Sequence, residues 1–398
     1  MPAGHPACAR HLAVSDPPAP VTVALDATPL LGSPTGVGVF CAGALSGLAR
    51  RPDVAVDAFA VSWRRRHGIE ERLPAGIGVA GRPMPARPLH AAWRRWSAPP
   101  VEWFVGRHDV VHGTNFVVPP TRRAGRVVTV HDLTVVRFPE LCDASTAGFP
   151  ALVRRAVAEG AWVHTPSAFV ADEVVEELGA DPVRVRAVPH GVPALPSPDP
   201  TGVPPLPDGT GRSVVAVGTI EPRKDYPTLL AAFGQLAGEP GHRDVALVIV
   251  GGEGWGSEAF AGALGALAPE VRHRVTVTGY LPDAALAAVL ADAAVLAYPS
   301  RYEGFGFPPL QAMAAGVPVV ATRAGAVPEV VGDGASVVEP GAAATLAAAL
   351  ADVLAGGPGV EAQVRRGRAR AAAFTWDACA RGLTLLYRDV TAEGRAGR

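Results

Sequence analysis

Hydrophobic and polar positions alternate in blocks along this chain. From residue 21 onward, short runs of β-branched residues are each followed by a longer stretch rich in Ala and Leu with helical spacing. That order is typical of βαβ units, in which helices cover both faces of a parallel sheet. Strands covered on both faces are expected to be apolar throughout, as these runs are. The pattern therefore predicts an α/β fold built on parallel sheets.

The predicted elements form two groups. In the first, we predict strands at residues 21–26, 54–61, 109–113, 126–130, 161–165 and 183–188, and helices at 39–50, 150–159 and 167–178. In the second, we predict strands at 213–218, 244–252, 274–279, 293–300 and 317–322, with helices between them. The intervening residues 191–211 are too rich in Pro and Gly for a helix or strand to continue through them.

The chain length supports a division into two domains. A chain of 398 residues exceeds what one hydrophobic core usually supports, and its hydrophobic share of 48% is enough for two cores. We expect a flexible leader at 1–20, Rossmann-like domains at 21–195 and 212–374, a Pro/Gly linker at 196–211 and a final segment at 375–398. Ligands of such sheets bind at the carboxyl ends of the strands, so the chemistry is expected in a cleft between the domains.

Charge and cysteine content exclude several classes of function. Lys and Arg total 36 against 37 Asp and Glu, so no overall field attracts nucleic acid. The four cysteines form no CxxC pair, which argues against a zinc site or a disulfide framework. The first 20 residues lack the apolar core of a signal peptide, and no later stretch offers the roughly 20 apolar residues of a membrane span. We expect a cytoplasmic protein, peripheral at the inner face of the membrane at most.

A glycine-rich segment, GSPTGVGVF at residues 32–40, follows the first predicted strand. Gly36 and Gly38 allow a phosphate to approach the backbone, and the helix beyond them favours negative charge. Taken alone, such a pair indicates a tight turn as readily as a phosphate site.

His131 and Asp132 directly follow another predicted strand, at the place where an α/β sheet presents its ligands. A buried histidine paired locally for structural reasons is the more common occurrence. The position at a strand end favours a role in binding.

Arg223 and Lys224 follow the first strand of the second group and precede a helix that is predicted to begin near Asp225. Arg can chelate two phosphate oxygens while Lys adds a point charge, so the pair suits a diphosphate. Without neighbouring motifs, an ordinary pair of solvated cations is the simpler interpretation.

The strongest local signal is YPSRYEGFGFPPLQAMAAGVPVVATRAGAVPEVVG at residues 298–332. A strand leads to Glu303, then to a Gly-Phe-Gly turn and to a helix whose first amides are expected to face the cleft. The carboxylate can bind sugar hydroxyls while the amides after Gly304 hold phosphate oxygens.

At these residues the sequence resembles the retaining glycosyltransferases of family four. Their fold, GT-B, has two Rossmann-like domains facing across a cleft. The resemblance covers nearly the whole chain after the leader, and it is to bacterial mannosyltransferases using GDP-mannose in particular. Seven motifs occur in the family's order: TGVGVF, HDLTVVRFPE, TPSAFVADEVVEELG, RVRAVPHGV, VGTIEPRKDYPTLLAAF, VTVTGYLPDAALAAVLADAAVLAYPS and EGFGFP.

The resemblance implies roles for individual residues. Gly36 and Gly38 would border the donor phosphates and the acceptor, His131 would contact the transferred sugar, and Asp132 would lie nearer the acceptor. Arg223 and Lys224 match the cations that hold the diphosphate, and Glu303 matches the carboxylate that holds donor-sugar hydroxyls. The amides of Gly304, Phe305 and Gly306 would line the phosphate site, with Tyr280 and Leu281 beside the nucleobase. Residues 375–390 resemble a helix that crosses back to the first domain.

One position departs from the family pattern. A second Glu is usual eight residues after the first, and here that residue is Gln311. A catalytically silent sugar-nucleotide-binding subunit is therefore one alternative. Another is the same enzyme with UDP-glucose, UDP-N-acetylglucosamine or a dTDP-deoxysugar as donor.

The chemistry is expected to need neither a metal nor another cofactor. The chain contains no Asp-x-Asp triplet, so Arg223, Lys224 and helix amides would neutralise the leaving diphosphate. The expected partners are a nucleotide-sugar donor and a saccharide, lipid-linked or small-molecule hydroxyl acceptor, and no nucleic acid. Two segments that interleave Trp with Arg, residues 61–68 and 90–97, are interpreted as loops that dock on anionic lipid, hold an acceptor phosphate, or simply cover packed Trp side chains.

Overall fold

The computed structural model describes residues 19–32, 35–63, 67–142 and 146–396. Most of the predicted leader, two residues of the glycine-rich segment and the three arginines at 64–66 lie outside these ranges. Within them, all the predicted strands are present with ends within two residues of the predicted ones. The two groups of strands form two separate parallel sheets, called here the N-terminal and C-terminal halves.

In the described part of the N-terminal half, seven parallel strands lie in the order β3-β2-β1-β4-β5-β6-β7. The strands are β1 (Val21–Asp26), β2 (Val54–Phe59), β3 (Gly78–Val79), β4 (Val110–Gly113), β5 (Gly125–Thr129), β6 (Trp162–Thr165) and β7 (Val185–Ala187). The helices are α1 (Gly36–Leu48), α2 (His67–Glu70), α3 (Ala86–Arg95), α4 (Glu102–Val105), α5 (Thr134–Arg137), α6 (Phe149–Ala158) and α7 (Ala168–Leu178).

Along the continuous stretch 146–396, the C-terminal half has six parallel strands in the order β10-β9-β8-β11-β12-β13. The strands are β8 (Arg212–Val217), β9 (Val245–Val250), β10 (Val275–Gly279), β11 (Val295–Tyr298), β12 (Val319–Thr322) and β13 (Ser336–Val338). The helices are α8 (Tyr226–Gly238), α9 (Glu258–Gly265), α10 (Pro269–Arg272), α11 (Asp283–Ala291), α12 (Phe307–Ala315), α13 (Val327–Val331), α14 (Ala343–Ala355), α15 (Pro358–Ala372) and α16 (Trp376–Ala396).

Two sequence interpretations need correction. The Trp- and Arg-containing segment 90–97 is not a loop, because α3 runs through residue 95 with the indole of Trp93 buried on its inner side. The first long helix begins at Gly36 rather than at residue 39, since the Thr35 hydroxyl accepts a hydrogen bond from the backbone amide of Gly38 and caps the helix there. Both glycines therefore lie in the first turn of α1.

The last helix belongs to the core of the N-terminal half. Buried apolar residues of α16, among them Leu383 and Leu386, share one hydrophobic cluster with Phe40 and Leu45 of α1. The approach of the two helices is close, because a Cβ at Gly43 would lie 2.1 Å from the ring of Trp376. Glycine at this position is what allows the indole to rest on α1.

A helix that spans a membrane must be both long enough and apolar enough. In the part of the chain that the structure describes, no single helix has both the length and the apolar composition that a span needs. The pair Ala343–Ala355 and Pro358–Ala372 reaches both together, with a bend of 98° between them.

Candidate active site

Several of the predicted site residues lie at the switch points of the two sheets. In the N-terminal half the strand order reverses between β1 and β4, and in the C-terminal half between β8 and β11. A crevice opens at such a point because the connections on either side run in opposite directions. The chain segments that follow these four strands carry the glycine-rich segment, Thr114, the Arg223-Lys224 pair and Glu303.

Glu303 lies at the centre of a buried cluster in the C-terminal half. Its Oε2 accepts a hydrogen bond from Nη1 of Arg223 at 2.5 Å, and its Oε1 accepts one from Nζ of Lys224 at 2.6 Å. The hydroxyl of Ser300 donates to Oε1 at 2.7 Å. Burial raises the pKa of Glu303, but the two cations outweigh it and hold the pKa at about 2. Glu303 is therefore ionised throughout the physiological range.

The two cations retain unused hydrogen-bond donors. Besides Glu303, Arg223 donates to the carbonyl of Tyr302 at 3.2 Å and to the carboxylate of Glu221 at 2.7 Å. Lys224 donates to the hydroxyl of Tyr298 at 3.3 Å. A guanidinium has five N–H groups and an ammonium three, so two of Arg223 and one of Lys224 have no protein acceptor among the described residues.

His131 is a neutral histidine with one nitrogen available as an acceptor. Its Nε2 lies 2.8 Å from the carbonyl oxygen of Thr114, which can only accept, so Nε2 carries the proton. Burial lowers the pKa of His131 and favours this neutral form. Its Nδ1 consequently has a lone pair. The neighbouring carboxylate of Asp132 accepts from the amide and hydroxyl of Thr134 at 3.0 and 2.8 Å.

A buried chain of hydrogen bonds lies behind His131. The carbonyl of Val188 accepts from Nε2 of His164 at 3.0 Å, which leaves Nδ1 of His164 to accept from the hydroxyl of Thr129 at 2.9 Å. The same hydroxyl accepts from Nε2 of His112 at 2.8 Å, and Nδ1 of His112 accepts from the hydroxyl of Tyr387 at 2.7 Å. One proton arrangement satisfies every member. The chain joins α16 to the three adjacent strands β4, β5 and β6.

The two halves meet where these groups lie. Gly304 packs against the backbone of His131, and its carbonyl oxygen accepts from the hydroxyl of Ser167 at 2.9 Å. The hydroxyl of Tyr302 accepts from the amide of Leu133 at 3.1 Å and donates to Glu173. In this structure the two halves are therefore in contact at Gly304 and Tyr302. His131 lies on the N-terminal side of this contact and the Glu303 cluster on the C-terminal side.

Helix starts from both halves also face each other. A Cβ at Gly36 would lie 3.9 Å from the ring of Phe307, so the first turns of α1 and α12 are adjacent. The backbone enters α12 through Gly306, whose φ of 113° is open only to glycine without strain. Pro308 and Pro309 have no amide hydrogen, so the donors at this end come from the turn before them.

The remaining predicted residues form no hydrogen bond with the Glu303 cluster in the described part of the chain. The ring of Phe305 is buried against His190, and Leu281 is buried in the core of the C-terminal half. Tyr280 is 64% exposed at the end of β10. Gln311 is partly buried in α12, and no protein group in the described ranges hydrogen-bonds to its side chain.

The sequence interpretation missed polar groups that hold Glu303 in place. Ser300 and Tyr298 contact the carboxylate and Lys224, and both come from the strand end immediately before Glu303. The two hydroxyl residues of the YPS segment, just before Glu303, were the feature of the sequence that could have predicted these contacts. Among the described residues, no group of three or more His, Cys, Asp and Glu side chains is arranged so that it could hold a metal ion.

The sequence matches two family models. The model described as Glycosyltransferase Family 4 matches residues 34–194, and the one described as Glycosyl transferases group 1 matches residues 211–356. An O-antigen chain mannosyltransferase B of Escherichia coli is 29% identical, over 68% of this chain and 71% of that protein. A D-inositol 3-phosphate glycosyltransferase of Acidothermus cellulolyticus is 30% identical, over 92% and 88%.

Solved structures share the two-domain architecture. The sucrose-phosphate synthase of Thermosynechococcus elongatus has a TM-score of 0.68 at 20% identity, covering 94% of this chain and 100% of that one. Anabaena HepE in complex with UDP and glucose has a TM-score of 0.65 at 16% identity, covering 91% and 98%. The predicted GT-B fold is confirmed.

Proposed function

Since this chain belongs to glycosyltransferase family 4 and is a hexosyltransferase, we propose that it transfers mannose from GDP-mannose to a hydroxyl acceptor with retention of configuration. The observation that carries the proposal is the ionised Glu303 held between Arg223 and Lys224. The next residue, Gly304, contacts the segment bearing His131 across the cleft. The choice of mannose is supported by the mannosyltransferase names of two relatives. One is the Escherichia coli protein, and the other is an MMP alpha-(1->4)-mannosyltransferase of Mycolicibacterium hassiacum, 32% identical over 62% of this chain and 58% of that protein.

When the bond between a sugar and a diphosphate breaks, negative charge develops on the diphosphate and positive charge on the sugar ring. The cluster has groups that can stabilise both charges. The unused N–H groups of Arg223 and Lys224 bind the phosphate oxygens, and the amides of the turn that precedes α12 add further donors. Glu303 accepts hydrogen bonds from hydroxyls of the donor sugar and stabilises positive charge on its ring. These protein cations take the place of a divalent metal, and no other cofactor takes part.

His131 acts from the other side of the cleft. Its Nδ1 lone pair accepts a hydrogen bond from a sugar hydroxyl, while Nε2 remains bound to the carbonyl of Thr114. The closed contact at Gly304 excludes water from the reacting bond and so strengthens these interactions. Gln311 binds the ribose through an amide that can both donate and accept.

A thermal-shift series tests the donor assignment. GDP and GDP-mannose should raise the melting temperature, because a ligand at 100 times its Kd stabilises by about 2.7 kcal/mol. UDP-glucose, UDP-N-acetylglucosamine and dTDP-sugars serve as controls and should leave it unchanged. A shift with a UDP- or dTDP-sugar alone would replace GDP-mannose as donor. Binding without nucleotide release in the presence of any acceptor would contradict the transferase assignment.

A further inference from the structure

A cavity lies beside the N-terminal sheet, outside the Glu303 cluster, and it begins at the carboxyl end of β1. Its volume is about 240 Å³, and it extends from Asp26 at the end of β1 to Glu159 beyond the end of α6. The inner face of α3 and the segment after β4 form its sides. Neither the predicted donor contacts nor the cluster itself uses this space.

The sides of the cavity are mostly apolar, with His90 of α3 as a polar residue beside Trp93. Nε1 of Trp93 donates to the carbonyl of Pro99 at 2.9 Å, so the indole has no free hydrogen-bonding group. Phe149 is fixed by stacking on Phe116, with ring centroids 5.0 Å apart. Leu152 of α6 and a run of Val and Pro after β4 complete the walls. A ligand surrounded by such walls gains by burying apolar surface and loses by burying hydroxyl groups that find no partner.

The far end of the cavity is charged, but its charges are satisfied within the protein. The carboxylate of Glu159 accepts from Arg126 at 2.9 Å, from Arg155 at 3.0 Å and from the hydroxyl of Ser97 at 2.7 Å. Burial raises the pKa of Glu159, but these hydrogen bonds outweigh it and lower the pKa to about 2. An anionic ligand at this end would have to displace an existing ion pair. The network therefore disfavours a charged ligand group at this end of the cavity.

The near end is polar and connected to the active site. The hydroxyl of Thr114 donates to the carbonyl of Asp26 at 2.6 Å, and the carbonyl of Thr114 accepts from His131. Asn115, the next residue, lines the cavity, and its side chain has no hydrogen-bond partner among the described residues. One carboxylate oxygen of Asp26 accepts from the amide of Thr28 at 2.9 Å. A ligand hydroxyl at this end can therefore donate a hydrogen bond to Asp26 or Asn115. Asp26 is linked to His131 by two hydrogen bonds, both made by Thr114.

We propose that this cavity binds the acceptor, and that the acceptor is a hydroxyl compound carrying an apolar body, such as an aryl or alicyclic group. The hydroxyl end lies beside Asp26 and Asn115, and the apolar body lies between Trp93, Phe149 and Leu152. The inference rests on the proposed transferase function and adds the chemical class of the acceptor to it. Arg94 is exposed at the rim, so a phosphate-bearing acceptor is the rival that the experiment has to exclude.

Calorimetry without any donor tests the cavity by itself. The probes are 4-nitrophenyl and methyl α-D-mannopyranoside, the corresponding α-D-glucopyranosides, and mannose 6-phosphate. In at least one sugar series the aryl glycoside should bind at least about tenfold tighter than the methyl glycoside, since tenfold corresponds to about 1.4 kcal/mol. Equal affinities in both series, or tighter binding of mannose 6-phosphate, would overturn the proposal.

A matched pair of variants locates the binding. Leu152 is partly exposed on α6, and Leu152→Gln places an amide in the wall without emptying the core. It should remove most of the preference for the aryl glycoside. Leu385→Gln makes the same change on α16 at a residue that is 60% exposed and outside the cavity, and it should keep the preference. Equal effects of the two variants, each with a normal melting temperature, would contradict the assignment.

Transfer assays separate this inference from the proposed function. With a donor that shifts the melting temperature, the aryl glycoside should show the higher kcat/KM, and Leu152→Gln should raise its KM with little change in kcat. Aryl binding without transfer from any donor would contradict the transferase function and leave the cavity's preference standing. Transfer to the methyl glycoside alone would overturn the cavity's role as acceptor site.

Discussion

Gly304 and His131 touch across the cleft with no space for a side chain between them. A Cβ on Gly304 would lie 1.8 Å from the carbonyl oxygen of His131 and 2.9 Å from Cβ of Asp132. Atoms that are not bonded do not approach so closely, so any larger residue at 304 has to move one half of the molecule. The Glu303 cluster and His131 can therefore lie this close together only because residue 304 is glycine.

Gly304→Ala is expected to disable the enzyme without unfolding either half. A displacement of about 1 Å between reacting groups can cost on the order of 100-fold in rate, and the alanine imposes at least that. Steady-state kinetics should show the loss while the melting temperature changes little. Gly238→Ala is the control, because a Cβ there meets nothing within 4 Å. Near-normal kcat/KM in Gly304→Ala would show that catalysis does not use this closed contact.

Glu303 is expected to be the indispensable carboxylate. Glu303→Gln removes its charge, leaves Lys224 buried without its counter-ion and leaves Arg223 paired with Glu221 alone, so kcat should fall on the order of 100- to 1000-fold. A Glu303→Gln enzyme with near-normal kcat would show that the site has been assigned wrongly.

Gln311 is expected to be a tolerated departure from the family pattern. Gln311→Ala should mainly raise the donor KM, by about 1–3 kcal/mol for one lost polar partner. Gln311→Glu should retain activity or bind the donor more tightly, since charge-assisted hydrogen bonds are stronger. Kinetics with varied donor concentration measure both, and an inactive Gln311→Glu enzyme would exclude this role.

Divalent metal is expected to be dispensable. Arg223 and Lys224 already place positive charge beside the proposed diphosphate site. Activity of the enzyme after dialysis against a chelator should equal that with added magnesium or manganese. Loss of activity in the chelator with recovery on adding either metal would refute the expectation.

Contact with an anionic membrane is a further prediction, made from the Trp- and Arg-containing segments. Trp96 directly follows α3 and is 59% exposed, with the Arg95 guanidinium 5.9 Å from its ring centroid. Trp suits a lipid interface and Arg suits phosphate, so the protein should sediment with phosphatidylglycerol vesicles at low salt. Trp96→Ala should weaken binding more than Trp103→Ala, an equally exposed Trp on α4. Absence of wild-type binding would end this proposal.

Stability is expected to fall as the pH drops below about 6.5. Burial lowers the pKa of His112, His164 and His190, that of His164 to about 3. Each is neutral when folded but protonates in the unfolded chain near pH 6.5, so the unfolded state binds more protons below that pH. The stabilisation is complete above pH 6.5 and decreases by about 1.4 kcal/mol per pH unit for each histidine below it.

Urea unfolding between pH 7 and pH 5 measures this dependence. His112→Gln should make the fall in unfolding free energy less steep, because one proton-binding group is lost. The exposed His273 gives the control His273→Gln, which should leave the slope unchanged. A free energy of unfolding that is constant from pH 6.5 to 5 would contradict the prediction.

The sheets could be predicted from the sequence because their strands are buried on both faces. The six residues of β9, VALVIV, are all buried, and such uninterrupted runs stand out from the helices between them. By contrast, β3 has two residues and is too short to show a pattern. The helix α3 was missed because Arg and Trp on its two sides suggested an exposed loop, although that distribution is also amphipathic.

The positions of single residues along the chain were easier to predict than the residues they contact. The sequence places Arg223 and Glu303 at the ends of two different strands, and nothing in either segment shows that they form an ion pair. That contact exists because β8 and β11 are neighbours in the sheet, although two strands separate them in the chain. Such pairing depends on strand order, which hydrophobic patterns alone do not determine.

The position of α16 has a consequence for how this chain is made. The N-terminal half lacks part of its core until α16 arrives, since Tyr387 and Leu383 fill space beside α1. About 190 residues separate the end of β7 from α16, and at 5–20 residues per second the ribosome needs about 10–40 s to make them. During that time Phe40 and its neighbours lack their covering helix. Protection by a chaperone during translation would therefore matter most for the part of the chain that is synthesised first.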